Sequence, residues 1–120
     1  MDIVQLALQV IVAFGLLNVW LLRSSRPTRY RGKGARSMKE EFAAYGMPVG
    51  VMRVVGALKV GVAIALLLGI WMPGLVLPAA VVLIVLMLGA FLMHVKVKDP
   101  VERSIPALLM LAMGIALVVI

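Results

Sequence analysis

The chain contains no cysteine and a single histidine. Thiol–disulfide chemistry, thiolate-held zinc or iron–sulfur clusters and c-type haem attachment all need sulfur ligands, so they are excluded on this chain. One imidazole cannot supply a haem pair or a zinc site. Acidic residues are also scarce, five against twelve basic ones. Charged residues make up 14% of the chain, where a soluble domain carries roughly a quarter. There is no nucleophile–base pair, no nucleotide-binding glycine loop and no HExxH pattern. An autonomous enzyme is not expected, and no metal site is expected either.

What fills the chain instead is apolar. Hydrophobic residues are 64% of the total, and the charges are gathered into short stretches between runs of Leu, Val, Ile, Ala, Met and Gly. A spanning helix needs about 20 mainly apolar residues. The expected fold is an all-α integral membrane protein, a single domain over residues 1–120 built as a four-transmembrane-helix bundle. The spans are about 3–22, 51–72, 75–95 and 100–120. Trp20 and Trp71 fall at interface positions, Pro73-Gly74 breaks the second helix, and Pro78 is tolerated in the first turn of the third. For the fourth helix, Asp99 can cap with Pro100 at the first helical position, or Ser104 can cap before Pro106. The earlier start is expected, because the later one leaves about 16 residues to span. The first apolar run lacks a basic leader and a small-x-small cleavage site, so it is read as a retained helix.

Loop charge sets orientation. Arg23, Arg26, Arg29, Arg31, Lys33, Arg36, Lys39 and Arg53 flank the first connection, and Lys96, Lys98 and Arg103 the last. The turn between the second and third helices carries no charge. Basic connections stay in the cytoplasm, so both termini are expected outside a bacterial cytoplasmic (inner) membrane. The net charge of +7 is thereby accounted for by topology and anionic headgroups rather than nucleic acid. Within the first connection, Ser37-Met38-Lys39-Glu40 is a capping box, and Gly46 before Pro48 is a stop. A short interfacial helix over about 38–45 is expected, with Met38, Phe42 and Tyr45 on one face and Glu41 beside them.

Helices in lipid associate through close packing and polar contacts. Ala57, Gly61, Ala65 and Gly69 recur every four residues and form a candidate helix-packing groove. Gly89, Ala90, Ala112 and Ala116 offer further small surfaces, and Met87, Met93, Met110 and Met113 suit adaptable filling rather than metal binding. Lys59, about 9 Å of rise inward of Arg53, is the residue to weigh. Its ammonium either snorkels to the headgroups or enters the bundle, paired with Glu41 or hydrogen-bonded to Asn18, and receives an anionic or carbonyl-bearing ligand. It projects nearly opposite the small-residue groove, on the face of Gly56 and Ala63. Asn18 is more simply an interhelical donor. Gln5 and Gln9 lie near the outer end and are expected to reach water. His94 ends the third helix as an interfacial side chain, and histidine is the residue type suited to proton transfer near neutrality. Lys59, Asn18, Glu41 and His94 are the candidate ligand-binding set.

The order Phe42-Ala-Ala-Tyr-Gly46-Met-Pro48, then Arg53, Gly56 and Lys59, then Gly69-Ile-Trp-Met-Pro73, resembles the DoxX-like membrane proteins. Met93-His-Val-Lys-Val-Lys-Asp-Pro100 followed by Ser104-Ile-Pro106-Ala is similar too, so the likeness runs from about Leu17 to Leu117. It implies a four-helix membrane bundle and, as in some relatives, a small non-catalytic or quinone- or lipid-contacting subunit of a quinone-linked oxidoreductase, with quinone as the implied cofactor and a redox protein as partner. Many relatives carry an acidic residue where Lys59 stands; here the charge is reversed. Two other roles fit the residues: a small-molecule or lipid transporter working as a homodimer or larger oligomer, and a membrane assembly factor.

Overall fold

The computed structural model describes residues 3–18 and 37–119. Among these, every regular element is helical: α1 (Ile3–Leu17), α2 (Met38–Ala44), α3 (Val49–Leu68), α4 (Val76–Lys96) and α5 (Ile105–Val119), with single 3-10 turns at Pro73–Leu75 and Val101–Ser104. The expected end of the first helix, with Trp20, lies outside the described residues. α3 stops four residues short of the expected Met72. There the hydrogen bonds tighten, Ile70 N–H turning back to the Leu67 carbonyl and Trp71 N–H to that of Leu68. The fourth helix also differs from expectation. Its α-helical part begins at Ile105, after the 3-10 turn, because the Asp99 side chain that was to cap an earlier start is held by His94 instead.

The short connecting helix forms as its signals predict. Glu40 N–H donates to Ser37 Oγ at 3.2 Å. At its far end Gly46 takes φ 79°, Met47 N–H bonds the Phe42 carbonyl at 2.9 Å, and Gly46 N–H bonds that of Ala43 at 3.0 Å. This pair of reversed bonds is the Schellman ending, which needs a left-handed residue that glycine adopts without strain. Phe42 and Tyr45 are buried, so the predicted apolar face is turned onto the bundle.

α1 packs against α3, α3 against α4, and α4 most extensively against α5. The core comprises Val12, Ala13 and Leu16 of α1, Val62, Ala63 and Leu66 of α3, Ala79, Ala80, Leu83 and Met87 of α4, and Leu117 of α5. Among the described residues, close approach occurs at Gly15, Gly69 and Gly114. A Cβ on Gly15 would overlap Met110 Cε, one on Gly69 would lie 2.7 Å from Val76 Cγ2, and one on Gly114 would lie 3.2 Å from both Leu83 and Ile84. Gly61 and Gly89 meet nothing within 4 Å, and Ala57 is exposed. Within one chain, only the Ala65–Gly69 end of the predicted groove is packed.

The outer surface is as apolar as the core. Phe14, Ile64, Val85, Leu92 and Leu109 are each at least 50% exposed, a girdle far beyond the apolar patches that water-soluble monomers present. Two stretches, Gly50–Leu68 and Pro73–Lys96, are long and apolar enough to cross a bilayer, and only 22% and 28% of their residues are buried in the molecule. The core helix of a soluble protein would be mostly buried, so these faces are built for lipid. α1 and α5 are equally apolar but shorter, 15 residues each.

One glutamine departs from expectation. Gln9 does not reach water but is fully buried, its Nε2 donating to the Leu66 carbonyl at 2.8 Å. Because Ile70 N–H is drawn to Leu67, the Leu66 carbonyl is one of the acceptors a helix end leaves over. Gln9 fills it from the neighbouring helix.

The packing assignment is open to a paired test. Gly114→Leu forces side chains into the α4–α5 contact and should lower stability by about 1–3 kcal/mol. Gly61→Leu, into open surface, should stay within about 0.5 kcal/mol. Thermal unfolding of the monomer in mild detergent reads both.

Candidate functional site

Polar side chains with defined partners collect at the end of the bundle where α2, the end of α4 and the start of α5 meet. The geometry follows from how α4 stops. Lys98 sits at φ 59°, and the chain reverses so that Lys98 N–H bonds the Val95 carbonyl and Asp99 N–H that of His94, each at 3.0 Å. This is a second Schellman ending, here with a lysine in the left-handed position. In that motif the side chains of the third residue from the helix end and the second beyond it face each other. They are usually apolar. In this chain they are His94 and Asp99, and His94 Nδ1–H donates to Asp99 Oδ2 at 2.9 Å.

The pair is enclosed. The two side chains are 8% and 3% exposed. An enclosed carboxylate needs a donor, and an ionised one can only accept, so Asp99 fixes both the orientation of the ring and the nitrogen that carries the proton. Nε2 is left as the atom that can meet a ligand, and among the described residues it makes no hydrogen bond. The Tyr45 ring stands edge-on to the imidazole, with centroids 6.0 Å apart and planes at 76°, and Phe42 leans on Tyr45 at 6.1 Å. Lys96 Nζ donates to the Tyr45 carbonyl at 2.9 Å, tying the end of α2 to the end of α4. Ser104, at the head of α5, is also buried.

Of the predicted set, only His94 lies in this cluster with a defined partner. Lys59 is half-buried at mid-length of α3, within the stripe of buried residues Gly56, Val62, Ala63 and Leu66. At 100° per residue it falls in the middle of that stripe. The face it shares with Gly56 and Ala63 is therefore the inward one, and this same rotation turns Ala57 and Gly61 outward. Lys59 lies ten residues from Gly69 and His94 eighteen from Val76. With Gly69 against Val76, the difference of eight residues separates the two by about 12 Å along the bundle. Asn18 is half-buried at the end of α1. Glu41 lies on α2, and its side chain is outside the described residues. Sequence reasoning missed Asp99, Tyr45 and Lys96 as members of the cluster. A signal did exist: histidine and aspartate five apart across a helix end occupy the two positions that a Schellman ending brings together.

The model of the DoxX-like family matches residues 6–117, nearly the whole chain. The chain belongs to the DoxX-like family. No curated protein and no solved structure matches it. Taken with the exposed apolar girdle, this makes the DoxX-like protein a membrane protein, with its buried imidazole–carboxylate pair at the basic end of the helices.

If Asp99 holds the ring, the His94 Nδ1–H proton is shielded from exchange. Nitrogen-resolved NMR of the protein in lipid should show that proton. In Asp99→Ala it should vanish into exchange with solvent, while the backbone resonances of α3 stay in place.

Proposed function

We propose that this DoxX-like protein is a non-catalytic, four-span membrane subunit of an oxidoreductase system, contacting a quinone or lipid headgroup at its basic end. The observation that carries this reading is the buried His94–Asp99 pair beneath Tyr45. With its Nδ1 proton given to Asp99, the neutral ring presents Nε2 as an acceptor at a fixed position, suited to the hydroxyl of a quinol, and only the doubly protonated ring donates from Nε2 to a quinone carbonyl. Quinones take up protons along with electrons, and histidine is the side chain best suited to pass a proton near neutral pH. Tyr45 and Phe42 offer apolar ring surface beside it. Lys59, facing inward and about 12 Å deeper, is a second polar group of the proposed site, with Asn18 near it in depth and Glu41 on the α2 side.

The same reading assigns α1 and α5 as spans beside the two longer ones. It sets Lys39, Arg53, Lys96 and Lys98 on the cytoplasmic side of a bacterial inner membrane, with both termini outside. A redox partner protein would then dock on that basic face. The test is quinone retention. The chain is assembled in lipid nanodiscs with a short-chain benzoquinone, passed over a sizing column, and the retained quinone is measured by absorbance. His94→Leu should lower retention about tenfold, since a hydrogen bond to a charged or strongly polarised pair is worth about 1.5 kcal/mol. Retention no greater than in empty discs, or unchanged in His94→Leu, rules the reading out.

A second reading is a homodimeric transporter or assembly factor, favoured by the outward small-residue face of Ala57 and Gly61. Because the chain has no cysteine, a Gly61→Cys variant carries a single thiol. Oxidative crosslinking to a dimer in membranes, absent for Leu92→Cys on the exposed surface of α4, supports a paired α3. Equal crosslinking at both positions argues for random collision.

A further inference from the structure

α2 is seven residues long and two-sided. Phe42 and Tyr45 are buried against the bundle, while Lys39, Glu40 and Ala43 on the other side are exposed. Tyr45 is the ring that stands against His94, whose side chain is 8% exposed. The imidazole is reached only if one of the groups around it moves, and α2 has the build of a movable part.

Its capping bonds are internal. Glu40 N–H to Ser37 Oγ, Met47 N–H to the Phe42 carbonyl and Gly46 N–H to the Ala43 carbonyl all lie within residues 37–47. The helix therefore shifts as a unit with both ends intact. Between it and α3 lies a short non-helical joint, Gly46 to Pro48. Gly46 is left-handed at φ 79°, and an added Cβ there would meet nothing closer than Lys96 Nζ at 3.8 Å. Pro48 is extended at φ −72° and ψ 163°. Across the seam, Lys96 Nζ reaches the Tyr45 carbonyl at 2.9 Å, in a part-buried bond.

The surroundings decide what opening would cost. In water, pulling Phe42 and Tyr45 off the bundle would forfeit their burial. At a bilayer surface the same face passes from protein to acyl chains, which are as apolar, so most of that cost disappears. Lys96 exchanges a carbonyl for a lipid phosphate, an acceptor that carries its own charge. The Tyr45 carbonyl, at a helix end, meets water. Two seats close in free energy are the condition for a shift of population between them.

We propose that α2 is a hinged lid over His94, latched by Lys96, which opens about Gly46–Pro48 and lays Phe42 and Tyr45 in the headgroup region of the leaflet. Shut, it seals Nε2; open, it admits a lipid-borne ligand to that atom. The admission of a ligand rests on the reading of His94 as a contact for a quinone or headgroup, and the hinge itself does not.

The chain has one histidine, so acylation of imidazole by diethyl pyrocarbonate, read by mass spectrometry of the peptide that carries it, reports the opening of His94. In liposomes the unaltered full chain should react roughly tenfold or more slower than free imidazole, because reaction waits on the open population. Lys96→Met should speed it several-fold, whereas Lys98→Met, which removes the same charge nearby, should not. Gly46→Ala, strained at the left-handed joint, should also speed it and serves if Lys96→Met does not fold. In parallel, spin labels at Ala43→Cys and Val85→Cys, both exposed, should give two distances by pulsed electron paramagnetic resonance, the second growing in the faster variant. Acylation as fast as free imidazole, acylation indifferent to both variants, or one unchanging distance would each overturn the lid. Neither readout uses quinone, so a lid that opens on a chain retaining no quinone sinks that reading alone.

Discussion

A helix end must find donors for its last carbonyls, and much of this molecule follows from how three such ends meet that demand. α2 and α4 end by reversing the chain through a left-handed residue, Gly46 in one case and Lys98 in the other. α3 ends instead by tightening, which uses the amide protons of Ile70 and Trp71 one residue early. The Leu66 carbonyl is left over and draws Gln9 across from α1. Helix termination thereby produces long-range structure: one ending seats α2 on the bundle, one builds an imidazole–carboxylate pair, and one pins α1 to α3.

Packing comes second to these polar requirements, because lipid competes for apolar surface as well as a neighbouring helix does. What holds α1, α3, α4 and α5 together is intimate contact where a side chain is missing. Gly15, Gly69 and Gly114 are the sites of that contact, each facing a side chain of another helix. The apolar residues of the girdle have no such role and are turned away from the core. Lys59 is half-buried on the inward stripe of α3, and Gln9, His94 and Ser104 are the buried polar residues among those described.

Much of the fold was legible in the sequence, since hydropathy, capping boxes and Gly/Pro stops are local signals. The Ser37 cap, the Gly46 stop and the shared face of Phe42 and Tyr45 all follow from a few neighbouring residues; that this face seats on the bundle was not legible, since the same pattern suits a helix lying in the leaflet. The site was legible only in part. Asp99 was read as a helix cap because Asp-Pro with Glu102 is a strong start signal; its partner His94 became visible only once α4 was seen to end through Lys98. The groove of Ala57, Gly61, Ala65 and Gly69 illustrates a different limit. Periodicity identifies a face but not the direction in which it points, and Lys59 on the opposite side of α3 faces inward. Gln9 was misplaced for a similar reason. A glutamine close to a chain end looks wet until a carbonyl in a helix more than fifty positions away is seen to need it.

The left-handed turn at Lys98 has a consequence beyond this chain. It makes the spacing between imidazole and carboxylate a matter of backbone geometry, not of side-chain reach. A single inserted or deleted residue between positions 94 and 99 would abolish the pair even if both residues were kept. Chains sharing this arrangement should therefore carry a fixed interval of His followed five positions later by an acid, with glycine, asparagine or an unbranched residue just before the acid. Such a ruler can be searched for in any helix that ends at a membrane surface.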